Sequence, residues 1–71
     1  MTYEFGRKLR HFLASNGVIR ERLFLEDGTP TDCELWPFPG ENAGLYWNGY
    51  EFQVLSGLEY EEMRQVSVPV G

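Results

Sequence analysis

Leu45-Tyr46-Trp47-Asn48-Gly49-Tyr50-Glu51-Phe52-Gln53-Val54-Leu55 is the stretch on which the fold turns. Asn-Gly between aromatic and strand-prone flanks is a strong hairpin signal, because both residues accept the positive φ of a two-residue type I′ turn. Such a turn predicts Trp47 opposite Tyr50 and Leu45 opposite Phe52. Leu45, Trp47, Tyr50, Phe52 and Val54 then share one face, and Tyr46, Glu51, Gln53 and Leu55 share the other. Each cross-strand aromatic pair adds roughly 0.2–1 kcal/mol over small residues, so strand pairing and core are specified together.

Upstream of this hairpin the pattern changes period. Phe5, Leu9, Phe12 and Leu13 recur at helical spacing, with Asn16 on the same line, and predict an amphipathic helix over Thr2–Ser15. Thr2 serves as N-cap and Glu4 places a negative charge in the first turn. Asn16-Gly17 ends the helix, since either residue can enter the left-handed region. Gly6 costs about 1 kcal/mol relative to Ala in a helix interior, and permits close packing over a sheet.

Val18–Leu25 reads as a first strand, with Ile19, Leu23 and Leu25 on one side and Arg20, Arg22 and Phe24 on the other. A three-residue Asp27-Gly28-Thr29 loop pairs Leu25 with Thr31, Leu23 with Cys33 and Glu21 with Leu35. A second strand, Thr31–Trp36, follows. The run Trp36-Pro37-Phe38-Pro39-Gly40 then argues against a central strand and for an ordered, extended loop. After the organising hairpin comes a break at Ser56-Gly57. Val66–Val70 reads as a last strand, with Pro69 near an edge. The intervening Glu59–Gln65 is open between strand and a helical turn or two, because Leu58, Tyr60 and Met63 form no clear helical stripe.

The expected fold is therefore α+β, an N-terminal amphipathic helix packed on a small four- or five-stranded antiparallel sheet. The alternative is a strongly curved, SH3-like small barrel with a leading helix. The order of elements also resembles that of Sm-like proteins. No residue motif accompanies that resemblance, and no function is carried over from it.

Seventy-one residues make a single small domain over 1–71. A chain this short buries only about 60% of its unfolded surface. Five Phe, four Tyr and two Trp supply a large apolar payload for that limited core. The lone Cys33 cannot form an internal crosslink, so the chain folds without one or gains stability from a partner, a homodimer being one form. No apolar run approaches membrane-spanning length, and no secretory leader is evident, so a cytoplasmic location and no membrane contact are expected.

Charge is unevenly divided. Residues 1–22 hold five of the six basic side chains and two acids, a net +3, whereas residues 23–71 hold nine acids and only Arg64, a net −8. A chain so polarised suits a partner of opposite charge.

Catalytic chemistry finds little support. His11 lies beside the apolar stripe of its helix, and nothing in the spacing joins it to Cys33 as a base–nucleophile pair. Cys33 alternates with Leu35 and reads as a small core residue. Asp32 and Glu34 share a strand face, and Glu59, Glu61 and Glu62 cluster near the C-terminus. Neither group has a hydrolase cleft or the alternating ligands of a calcium loop. The glycines are dispersed and form no phosphate cradle. No catalytic residue, metal ligand or cofactor site is expected.

Recognition of another protein is the leading functional expectation: a non-enzymatic protein-binding module, an inhibitor or adaptor that occludes a surface. Trp36 and Phe38, stiffened by two prolines, either close the bottom of the small core or serve as the apolar anchors for a partner. Asp32, Glu34, Glu41, Glu59, Glu61 and Glu62 are expected to orient a partner with a basic surface. Small phage-encoded antagonists of host proteins share this size and charge. Two alternatives stand beside it. One is direct nucleic-acid binding through Arg7, Lys8, Arg10, Arg20 and Arg22, opposed by the acidic remainder. The other is an acidic mimic of nucleic acid that blocks a nucleic-acid-binding protein.

Overall fold

A computed structural model describes residues 2–17 and 19–70. Val18, expected to open the first strand, lies outside the described residues. The helix α1 (Tyr3–Ser15) is followed by β1 (Arg20–Phe24), β2 (Pro30–Pro37), β3 (Ala43–Trp47) and β4 (Phe52–Ser56). A second helix, α2 (Gly57–Gln65), and the strand β5 (Ser67–Val70) complete the chain. The five strands form one antiparallel sheet in the order β4-β3-β2-β1-β5. This is the expected α+β class with five strands. The first four form a meander, and α2 carries the chain from the β4 edge to the β5 edge, where β5 pairs with β1.

The organising hairpin forms with its two expected faces but with a different turn. Trp47 pairs with Phe52 and Leu45 with Val54, two residues along from the predicted register. Among the described residues only glycines have positive φ, so Asn48 does not take the type I′ conformation. Instead its side-chain oxygen accepts from the N–H groups of Tyr50 and Glu51, at 2.8 Å each, while Gly49 supplies φ 94°. This Asx turn uses the short amide as a backbone mimic and widens the loop to Asn48–Glu51. A shift of two preserves the side-chain alternation, so Leu45, Trp47, Phe52 and Val54 still share a face.

The β1–β2 hairpin pairs Glu21 with Leu35, as expected, but the ladder slips between Arg22 and Phe24, and Phe24 pairs with Pro30. Leu25 therefore bonds to Thr29 (N to O, 2.9 Å) rather than facing Thr31. Thr31 bridges the irregularity. Its hydroxyl donates to the Leu23 carbonyl (2.7 Å) and accepts from the Cys33 N–H (3.1 Å), satisfying groups the slip would leave unpaired.

One further expectation is corrected, and one open segment is decided. β2 is a central strand that runs through Pro37. The Phe38 N–H donates to Ala43 of β3, so the alternating ladder turns the Pro37 nitrogen toward β1. There the register would place Ile19, which precedes the strand, and no ladder donor is needed. The segment left open between strand and helix is α2. Ser56 occupies its N-cap position, with Glu59 in the first turn and Arg64 in the last, although the Ser56 hydroxyl makes no capping bond. Only Tyr60 and Met63, one turn apart, point inward. Two inward residues suffice for a helix of nine, which explains why no broad apolar stripe was visible.

The core lies between α2 and the sheet. Leu23, Leu35, Leu55 and Tyr60 form its buried centre, with Cys33, Tyr46 and Met63 packed against it. Tyr46 and Leu55 were expected on the outer side of the hairpin; the Leu35–Tyr46 pairing instead puts them on the face that Leu23 and Leu35 already line. Gly44 allows the close approach of α2, since a Cβ there would lie 2.9 Å from both the Trp36 oxygen and the Tyr60 ring.

Candidate protein-binding surface

The opposite face of the sheet carries α1. Thr2 caps the helix by accepting from the Phe5 N–H (3.1 Å), and Gly17 leaves it at φ 69°, both as expected. Its rotation is not as expected. Gly6 is the buried residue, Arg10 reaches inward to Glu34, and Tyr3 stacks on Tyr50 with ring centroids 5.1 Å apart. Phe5, Leu9 and Phe12 lie roughly 100° round the helix from this contact line. They consequently remain outside the core, Phe5 57% and Phe12 60% exposed, with Leu9 half-buried.

Glu34 explains the rotation. It is fully buried at the middle of the central strand. Arg22 stands directly opposite on β1, and Trp47 on β3. One carboxylate oxygen accepts from Arg10 Nε; the other lies 3.0 Å from Arg20 Nε and 3.8 Å from Arg22 Nη2. A carboxylate withdrawn from water is tolerable only when paired this closely. Arg10 must therefore face the sheet, and the geometry of a helix turns the phenylalanines away. Three guanidinium groups against one carboxylate leave this cluster with an excess of two positive charges.

The second buried glutamate, Glu21, borders the α2 core. It accepts from the Ser67 hydroxyl at 2.5 Å and pairs with Arg64 at 2.9 Å. Arg64 also donates to the Tyr60 hydroxyl (2.8 Å), and that bond first, then the Glu21 charge, hold the guanidinium more firmly protonated than usual. Burial, reinforced by neighbouring Cys33, pushes the Tyr46 phenol up to about 12. At the β1–β2 turn, hydrogen bonds from Thr29 hold the Asp27 carboxyl below its ordinary range.

The residues expected to contact a partner are dispersed. Trp36 is 3% exposed and packs on Phe52, 5.5 Å between ring centroids, so it serves the interior rather than a surface. Glu34 is likewise enclosed. Phe38 is partly exposed, at 38%. Asp32 and Glu41 are exposed at separate places, and Glu59, Glu61 and Glu62 are exposed on α2. The surface that sequence reasoning missed is the outward stripe of α1. Its residues were recognised as apolar, but assigned to the interior.

The chemistry is equally plain. His11 is exposed on α1, with Ser15 Oγ 3.4 Å away, whereas Cys33 packs into the core on the other side of the sheet. Among the described residues, no group of three or more His, Cys, Asp or Glu could hold a metal ion, and no helix is long and apolar enough to cross a membrane. A groove of about 1040 Å³ runs between α1 and the β3–β4 turn, bordered by Tyr3, Arg7, His11, Asp32, Trp47 and Gly49. In comparison with known proteins, the chain matches no family model, no curated protein and no solved structure.

Proposed function

We propose that this chain is a non-enzymatic protein-binding module of the cytoplasm, and that it acts by covering a partner's surface with α1. The observation that carries the proposal is the outward stripe of Phe5, Leu9 and Phe12. Burying one large apolar side chain is worth about 1.5–3 kcal/mol, and a chain of this size forgoes that gain twice along one helix. Anchors at i, i+4 and i+7 on a helix tethered to the sheet through Arg10 and Tyr3 follow the pattern by which helices enter apolar grooves. Isolated exposed apolar residues are ordinary; a contiguous helical row points to contact.

The nucleic-acid alternative is less well supported, because Arg10, Arg20 and Arg22 are already engaged by Glu34. The acidic-mimic alternative loses Glu21 and Glu34 from its available charge, both being buried. Affinity capture with the wild-type chain and a Phe5→Ser/Phe12→Ser variant tests the proposal. A specific protein retained by the first and lost by the second, with equal thermal stability, is the expected result. Identical capture by both chains, or adsorption of the wild type only to nucleic acid or anionic vesicles, would overturn it.

A further inference from the structure

The cluster around Glu34 has donors and charge to spare. Three guanidinium groups carry about fifteen N–H donors, and one carboxylate offers about four acceptor positions. Arg10 and Arg20 approach it through Nε, whereas Arg22 Nη2 stops at 3.8 Å, beyond a hydrogen bond. Arg22 Nε is buried and has no hydrogen-bond partner among the described residues. Across the β1–β2 pair, Glu34 Oε2 is buried too and receives no aligned hydrogen bond, even with Arg20 Nε 3.0 Å away. A donor and an acceptor left over in one cluster call for a group that bonds to both. Neighbouring charges do not supply it. Lys8 is paired with Glu4, and Arg7 lies over the Tyr3 ring. Asp32 is exposed on the Glu34 face of β2, but a Cβ on Gly49 would stand 4.0 Å from that of Asp32, which places it on the β3 side. The Arg22 guanidinium, on the β1 side, is not neutralised by it.

We infer that this cluster binds monohydrogen phosphate as a free ion. Its oxygens accept from Arg20 and Arg22, its one hydroxyl donates to Glu34 Oε2, and its two negative charges offset the excess. A water molecule satisfies both atoms but brings no charge. Sulfate brings the charge but has no proton to give, and the dianion of a phosphate monoester has no hydroxyl on phosphorus. Access is through the guanidinium ends. The Arg10, Arg20 and Arg22 side chains are 32%, 21% and 32% exposed, and Arg10 also borders the groove between α1 and the β3–β4 turn. A position beneath α1 admits a small ion but not the backbone of a polymer. The inference is independent of α1 as a docking helix.

Calorimetric titration of the full chain near pH 8 at fixed ionic strength, with inorganic phosphate, sulfate and O-phosphoserine in turn, tests it. Phosphate is expected to bind with a dissociation constant near 1 mM, an order-of-magnitude value, and the other two at least about tenfold more weakly. Arg22→Gln lowers phosphate affinity about tenfold or more. Its circular dichroism and melting stay close to wild type, because Arg10 and Arg20 still pair with Glu34. Arg22→Lys keeps the charge but loses the planar fork, and retains only part of the binding. If Arg22→Gln does not fold, the wild-type ranking of the three anions decides alone. Absence of phosphate binding at about 10 mM overturns the inference. So does sulfate or phosphoserine that binds as tightly as phosphate, or undiminished binding by folded Arg22→Gln.

Discussion

On the α2 face of the sheet, Leu23, Leu35, Leu55 and Tyr60 meet in an apolar cluster, with Glu21 at its border under Arg64 and Ser67. On the α1 face, the middle of the central strand is a buried carboxylate, and the helix above it is joined through an arginine, a glycine and a stacked tyrosine. The α2 helix is held by excluding water from its side chains. The α1 helix is held by charge, with the aromatic residues Trp36, Trp47 and Phe52 packed beside the cluster. Burial fixes which residues must be inside. A charged latch fixes only one angle of the helix, and so leaves an apolar row free for other use.

Removing the latch should give the largest effect. Glu34→Ala leaves three partly buried guanidinium groups without their carboxylate, and is expected to cost about 3–5 kcal/mol. Chemical denaturation monitored by circular dichroism measures it, and the helical signal of α1 should fall before the sheet is lost. Leu35→Ala, one residue along and on the other face, opens a cavity in the apolar cluster. It should cost about 3 kcal/mol in a single cooperative transition, with α1 no less stable than the sheet. If Leu35→Ala rather than Glu34→Ala releases α1 first, the proposed division between the faces is wrong.

A smaller effect separates the faces by pH. The Tyr46 phenol is raised from 10.0 to about 12, so folding favours its neutral form. Its contribution is fully present below pH 10 and is lost as pH rises toward 12. Alkaline unfolding followed by tyrosinate absorbance should show one late-titrating phenol. Tyr46→Phe should remove both that phase and the corresponding loss of stability. The smallest effect is expected from Phe12→Ser. Because its ring is mostly outside the core, stability should change by no more than about 0.5 kcal/mol. A loss several times larger in thermal melting would mean that the stripe is packed in solution and is no docking surface.

Local chemistry made much of the fold legible. The cap at Thr2, the stop at Asn16-Gly17, the reversal at Asn48-Gly49 and the Glu21–Leu35 pairing all depend on residues near one another or on a short loop. The turn type at Asn48 was misread because its amide offers the backbone a second solution, an Asx turn, of the same outward appearance. α2 was hidden because a helix with only Tyr60 and Met63 turned inward carries almost no periodic signal. The Ser56 and Glu59 positions, three apart before a run of good helix formers, were the cue available. Trp36, open in the sequence between core and anchor, is drawn into the interior because β2 continues past it to Pro37.

The sequence by itself determined two antiparallel hairpins, a capped leading helix and the alternation of each strand, since these follow from short-range sterics and hydrogen bonding. It could not determine which face of one hairpin continues which face of the other. That parity is set where Leu35 meets Tyr46, across the Phe38–Asn42 loop, and a change of one residue there would exchange the two faces. Nor could it determine the rotation of α1. Helical periodicity identifies the apolar row, but a buried carboxylate 24 residues away decides which side turns inward. The cost of leaving Glu34 unpaired exceeds the gain from burying a phenylalanine, and that balance exists only once the sheet has brought Arg20, Arg22 and Glu34 together.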